Sequence, residues 1–295
     1  MAGPGIGSPG LGSRLALDLR GRDLSDSERF YVEDIADSVA DLRGLLQIAR
    51  SRHPDVPLFV LGHSAGGVIC CTYALDHPDE IDGFIRESFA FQVPAPGVVL
   101  SAVRGLSHLA RKLGVLTLKR KDFTCDPEAL HVLEADPLTK DERQPAATVA
   151  ALVLSGERLH DSFARIALPV LILHGTEDRA TVCRGSEFFL TNAGSKDKTL
   201  KLYDGHFHDL LNDIGKEQVL GDIVGWIEAR LPDGSPRQQG AGTGQTRGEK
   251  RGGLLAVAQA GSKRRIKFAR FRTVRRAHAR RRNFTVDRIP LNARH

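Results

Sequence analysis

The sequence predicts an α/β fold built on a mostly parallel sheet with helices on both faces. Three observations carry this. Short apolar runs of strand length alternate with longer stretches whose apolar residues recur every three or four positions, the order of βαβ units. The short runs are apolar at consecutive positions, as strands buried on both faces are. Between two such strands, residues 89–168 break the rhythm with helical patches, several prolines and no strand pattern, as an inserted cap would.

The elements follow in order. Residues 1–13 hold five Gly and two Pro without an apolar signal core, so no secretory leader is read there and a cytoplasmic location is expected. Leu15-Ala16-Leu17-Asp18-Leu19 is a strand ending in the turn at Arg20-Gly21. Val32, Ile35, Val39, Leu42, Leu45, Leu46 and Ala49 share one face of a helix. Pro54 and Pro57 bound the next connection, Leu58 to Leu61 is a strand, and Gly66 to Ala74 is a helix that stops at His77-Pro78. Further strands are expected at Ile81 to Ser88, Pro169 to His174 and Thr199 to Tyr203, and a last helix from Lys216 to Leu231. The folded domain is therefore 14–231, with the cap inside it. In that cap Val98-Val99-Leu100 and Leu113-Gly114-Val115-Leu116 are compatible with contact to an acyl chain, with ordinary cap core as the plainer reading.

The chain of 295 residues is 41% hydrophobic and 26% charged. No run approaches the roughly 18 apolar residues of a membrane-spanning helix. The net charge of +6 averages two unlike pieces: residues 232–295 hold 17 Lys+Arg against 3 Asp+Glu, whereas residues 1–231 hold 25 against 33. The Gly-, Gln- and Arg-rich composition from Pro232 onward reads as a linker and a disordered basic tail. Ile266, Phe268, Phe271 and Val274 lie among its Arg and Lys residues. Such a segment suits peripheral contact with an anionic membrane, with RNA as a weaker alternative and a solvated extension as the plainer reading. Cys70, Cys71, Cys125 and Cys183 lack metal-ligand spacing and are expected to be buried reduced thiols.

Between the strand at Leu58 and the following helix sits Gly62-His63-Ser64-Ala65-Gly66. A serine hydroxyl becomes a useful nucleophile only when a tight turn presents it and a base takes its proton. Gly62 and Gly66, two residues to either side of Ser64, leave room for that turn. The Ala65 N–H, at the start of the helix, is the expected oxyanion donor. An acid is expected at the end of the strand that runs into His174-Gly175-Thr176-Glu177-Asp178. Asp178 is favoured there over Glu177, which reads as a solvent-facing turn carboxylate. For the base, the loop after the strand at Thr199 offers His206 and His208. Nucleophile, acid and base in that chain order match the α/β-hydrolase fold. His63 and His174 read as structural neighbours of the two turns.

At these residues the chain resembles the lysophospholipase and monoacylglycerol lipase group of α/β-hydrolases, the serine aminopeptidase-like hydrolases. The likeness spans about residues 15–231. It rests on Leu17-Asp18-Leu19-Arg20-Gly21, Gly62-His63-Ser64-Ala65-Gly66-Gly67, Asp136-Pro137-Leu138, His174 to Asp178, and Ser195 to Tyr203. The resemblance implies Ser64 as nucleophile, Asp178 as acid and His208 as base, three residues after Gly205, and leaves His206 as a pocket wall. It also implies a cap over an acyl-chain pocket, monoacylglycerol-like or lysophospholipid-like esters as substrates, and no cofactor or metal. The family carries further N-terminal strands, with a His-Gly turn that gives a second oxyanion N–H. These strands are expected to be missing here. That would leave a central gap between the strand at Leu15 and the strand at Leu58.

Three functions from different classes follow, two of them foremost. One is a carboxylic ester hydrolase working through an acyl-enzyme. The other is a truncated, non-catalytic hydrolase fragment, with a basic-tailed membrane or RNA interaction protein as a further alternative. Nucleic acid is not the expected partner of the acidic body.

Overall fold

The computed structural model describes residues 14–91, 97–139, 141–232, 253–259 and 287–289. The expected alternation begins with β1 (Arg14–Asp18), α1 (Ile35–Arg52), β2 (Leu58–His63), α2 (Ala65–Asp76) and β3 (Gly83–Glu87). The insertion follows as α3 (Gly97–Leu109), β4 (Gly114–Leu116), α4 (Pro127–Ala135), β5 (Gln144–Pro145) and α5 (Ala146–His160). The alternation then resumes with β6 (Val170–Gly175), α6 (Cys183–Asn192), β7 (Lys198–Tyr203) and α7 (Lys216–Glu228). Helix α1 starts at Ile35 instead of Val32 because Asp34 takes extended backbone and accepts the Ala36 N–H at 2.8 Å. That N-cap satisfies a donor the helix cannot, and so sets its first residue.

The strands after β1 alternate their side chains between two cores, as a period of two requires. Leu58 and Val60, Phe84, and Val170 and Ile172 join the core beneath α1 and α2. Phe59 and Leu61, Ile85, and Leu171 and Leu173 join the core beneath α7, with Ile223 and Trp226. The sheet is therefore buried on both faces, and its apolar runs have no polar alternation to betray their register.

The structure corrects the reading of the basic tail. β8 (Leu254–Gln259) lies between β1 and β2, parallel to both, in the order β7-β6-β3-β2-β8-β1-β9. Val257 stands opposite Leu61 on one side and Ala16 on the other. The expected central gap is thus occupied, and the tail is not wholly without folded structure. Leu254 and Ala256 enter the α1/α2 core, while Leu255 and Val257 enter the α7 core. Burying each of the larger side chains stabilises the fold by about 1.5–3 kcal/mol. The signal was the uninterrupted run Leu254 to Ala258, hidden because Gly and Arg on either side dominate the local composition. β9 (Asp287–Ile289) pairs parallel with the outer side of β1. The segment with Ile266, Phe268, Phe271 and Val274, and residues 1–13, lie outside the described residues.

The cap holds two smaller corrections. β4 and β5 pair antiparallel within the stretch expected to lack strands; at three and two residues they are too short to leave a period in the sequence. Val98 is 77% exposed and Leu113 53% exposed, so neither apolar stretch is simply cap core. Cys70 and Cys71 are buried and free as expected, whereas Cys125 is exposed and Cys183 half-buried. Among the described residues no helix is long and apolar enough to cross a membrane.

Candidate active site

β2 ends at His63 and α2 begins at Ala65, so Ser64 alone makes the turn, at φ 54° and ψ −116°. An L-residue resists this conformation and adopts it only where the surroundings impose it. Here they do. The Ser64 N–H donates to the Glu87 carbonyl and the Gly67 N–H to the Ser64 carbonyl, both at 2.9 Å. A β-carbon at Gly62 would lie 2.2 Å from the Gly66 carbonyl oxygen, so only glycine lets the two limbs of the turn close. The Ala65 N–H, at the first position of α2, has no partner within the helix and adds its share of the positive helix end.

Asp178 lies in the turn after β6 with its side chain fully buried. Its Oδ1 accepts the N–H groups of Ala180 (2.8 Å) and Thr181 (2.9 Å). Its Oδ2 faces Thr181 Oγ1 (2.7 Å), His208 Nδ1 (2.8 Å) and His174 Nε2 (3.1 Å). Burial alone would raise the carboxyl pKa, but the bonds from His174 and His208, the His208 charge and the Thr181 N–H hold it far below the usual carboxylate range. His208, in the loop after β7, therefore has Nδ1 fixed on Asp178, while its buried Nε2 has no hydrogen-bond partner among the described residues. A β-carbon at Gly175 would meet the carbonyls of His206 and Phe207 at 2.3 and 2.4 Å, so that glycine lets the base loop close on the acid turn.

The alternatives stand in different surroundings. Glu177 is exposed and meets the base loop only through its N–H, on the His206 carbonyl. His206 packs against Tyr203, with ring centroids 5.5 Å apart, and its Nδ1 has no hydrogen-bond partner among the described residues. His174 does more than flank the acid turn. Arg86 can only donate, and its Nη2 is 3.4 Å from Ser186 Oγ, so Ser186 gives its proton to His174 Nδ1 at 2.8 Å. That leaves the His174 proton on Nε2, facing Asp178. Arg86 is fully buried between the rings of Phe89 and Phe189, 3.7 and 3.8 Å from their centroids, and burial lowers its pKa to about 10.

Sequence reasoning missed a second buried group. His63 Nδ1 is 2.8 Å from Glu87 Oε2, and the His63 and His208 rings are 4.8 Å apart. Burial disfavours the His63 imidazolium, but Glu87, Asp209 and Asp178 outweigh it and push its pKa up to about 9. His63, Glu87 and Asp209 bring ligand-type atoms within 4.8 Å of one another. Because Nδ1 and Oε2 are already spent on each other, this is an ion pair with a neighbouring carboxylate instead of an open cation site. The signal was Arg86-Glu87 inside a strand read as buried on both faces, where each charge demands a partner.

Ser64, Ala65, His63 and His208 line one cavity of about 810 Å³ roofed by the cap. Val32, Ile35, Ile69, Leu118, Leu133 and Val149 give it apolar walls. At its polar end Arg22 pairs with Glu142 and bonds Gln144 at 2.8 Å, tying the cap to the turn after β1. Of the two apolar cap stretches singled out in the sequence, only Leu116 reaches the cavity. Phe123 stands edge-on to His208 with ring centroids 5.0 Å apart, so the cap also touches the imidazole.

A profile of the serine aminopeptidase S33 family matches residues 13–215. The chain is 32% identical to a monoacylglycerol lipase of Mycolicibacterium smegmatis over 218 residues, covering 73% of this chain and 78% of that protein. It is 27% identical to caffeoylshikimate esterase of Arabidopsis thaliana over 73% of this chain and 69% of the relative. Among solved structures, the monoacylglycerol lipase of Paleococcus ferrophilus superposes with a TM-score of 0.67 at 23% identity, over 75% of this chain and 97% of that one. That likeness bears on the fold alone.

Proposed function

The chain belongs to the serine aminopeptidase S33 family, and from that premise we propose that it is a serine hydrolase of carboxylic esters, acting on monoacylglycerol or lysophospholipid-type substrates. The observation that carries the reading is the bond from His208 Nδ1 to Asp178, with the free Nε2 on the same cavity as Ser64. Asp178 holds the imidazole in the tautomer whose Nε2 can accept a proton. Ser64 Oγ attacks the acyl carbon as His208 takes its proton, and the Ala65 N–H stabilises the oxyanion. His208 then gives the proton to the leaving alcohol. Water repeats the sequence on the acyl-enzyme, which releases the acid and restores Ser64. The apolar cavity walls and the named activity of the Mycolicibacterium relative support an acyl-glycerol substrate.

The alternative of a non-catalytic fragment rested on an unfilled sheet and on the missing His-Gly turn that would give a second oxyanion N–H, and β8 answers only the first of these. β8 in that place favours the enzyme. The decisive test is labelling by a fluorophosphonate probe together with hydrolysis of a monoacylglycerol. Wild type is expected to label and turn over, and Ser64→Ala to lose labelling and about 10⁶ in kcat while keeping its melting temperature. Equal labelling of both, or none of either, would overturn the reading.

A further inference from the structure

We propose that Glu87 is the positioning residue of this site, a clamp that ties the nucleophile's turn to the loop that carries the base. The inference rests on the triad reading above. Glu87 ends β3 and is fully buried. It holds three groups at once. Its backbone carbonyl accepts the Ser64 N–H at 2.9 Å. Its Oε2 meets Nδ1 of His63, the residue before the nucleophile, at 2.8 Å. Its Oε1 accepts the N–H of Leu210, two residues after the base, at 2.7 Å.

No other residue described here bonds both to the nucleophile's turn and to the base loop. The Ser64 hydroxyl and His208 Nε2 share a cavity without a hydrogen bond between them, so their spacing is set by what lies behind them. A displacement near 1 Å at such a pair lowers a rate by about 10². The charges around the clamp are accounted for. His63 is the counter-cation and Asp209 the nearby carboxylate, while His208 and Asp178 stand beyond the His63 ring. Arg86, next in the strand, turns to the opposite face, where Cys71, Ser186 and the two phenylalanine rings hold it. A buried carboxylate could serve the core alone; its two oxygens reach one segment each, which a core role does not require.

Length, not charge, should therefore decide function. In Glu87→Gln the side chain still spans both partners: its carbonyl accepts the Leu210 N–H and its amide donates to the other His63 tautomer. Glu87→Asp keeps the charge but is one methylene too short to reach both. Glu87→Ala reaches neither. With para-nitrophenyl butyrate, and folding checked by circular dichroism, kcat is expected to fall less than about tenfold in Glu87→Gln. In Glu87→Ala it should fall by about 10², with Glu87→Asp between them and KM within about twofold throughout. If the alanine variant does not fold, the ranking of glutamine above aspartate carries the test. A folded Glu87→Ala or Glu87→Asp variant with wild-type kcat, or aspartate equal to or better than glutamine, overturns the clamp while leaving the triad standing. A wild type that fails to label at Ser64 overturns both together.

Discussion

From β2 the sheet continues on one side through β3, β6 and β7, and each residue of the proposed triad sits just past a strand of this half: Ser64 after β2, Asp178 after β6, His208 after β7. On the other side β8, β1 and β9 come from three separated stretches of chain and, among the described residues, carry no member of the proposed triad. They contribute a wall, through Leu19, Arg20 and Arg22 in the turn after β1. The first half is thus organised around chemistry and the second around closing the sheet. The difference teaches that damage to one half should show in rate and damage to the other in stability.

That division can be broken by substitution. The largest expected effect is Asp178→Asn, which leaves the turn in place but frees the wrong His208 tautomer. kcat should fall by about 10⁴ in a variant that still folds by circular dichroism, although losing the buried carboxylate's charge also lowers its melting temperature; a variant that folds and keeps its kcat would erase the distinction. Next is Ala256→Asp, which puts an unpaired carboxylate where β8 is fully buried. The loss should be about 3–5 kcal/mol of unfolding free energy in urea titration, with labelling per folded molecule unchanged. An unmoved midpoint would remove β8 from the centre of the sheet.

The smallest effect sharpens the boundary, where His63 sits at the end of β2. Its folded pKa of about 9 lies above the ordinary value of about 6.5. Its stabilising contribution is therefore complete below about pH 6.5 and lost as pH rises through 9, amounting to about 3 kcal/mol. Asp178 has the opposite sign: its folded pKa is depressed, so its contribution is present above about pH 4 and lost in acid. Melting temperatures between pH 6 and 10 should fall in wild type and stay level in His63→Gln. A parallel fall in both would assign the alkaline loss to other groups.

The chemistry half was largely legible in the sequence, because each of its residues stands at a strand end flanked by glycine or a turn. Gly62 and Gly66 bracket Ser64, Gly175 precedes Asp178 and Gly205 precedes His208. Glu87 was not legible as a clamp, since nothing in Gly83-Phe84-Ile85-Arg86-Glu87 says which distant groups its two oxygens will meet. In the closing half β1 was read as a strand, but β8 was missed for a physical reason. A parallel strand buried on both faces has no period, so Leu254 to Ala258 is only five apolar residues until β1 and β2 are seen to need a partner.

The place of β8 also sets a schedule for the ribosome. β1 and β2 leave the exit tunnel early, yet the strand that joins them is translated after every other part of the domain from Arg14 to Leu231. At ordinary elongation speeds the wait between Leu58 and Leu254 is roughly 10–40 s. Through that interval two strand edges lie open, with their backbone donors and acceptors turned outward. The middle of the sheet should therefore close only once the residues up to Gln259 are available, after the rest of the domain from Arg14 to Leu231 has been made.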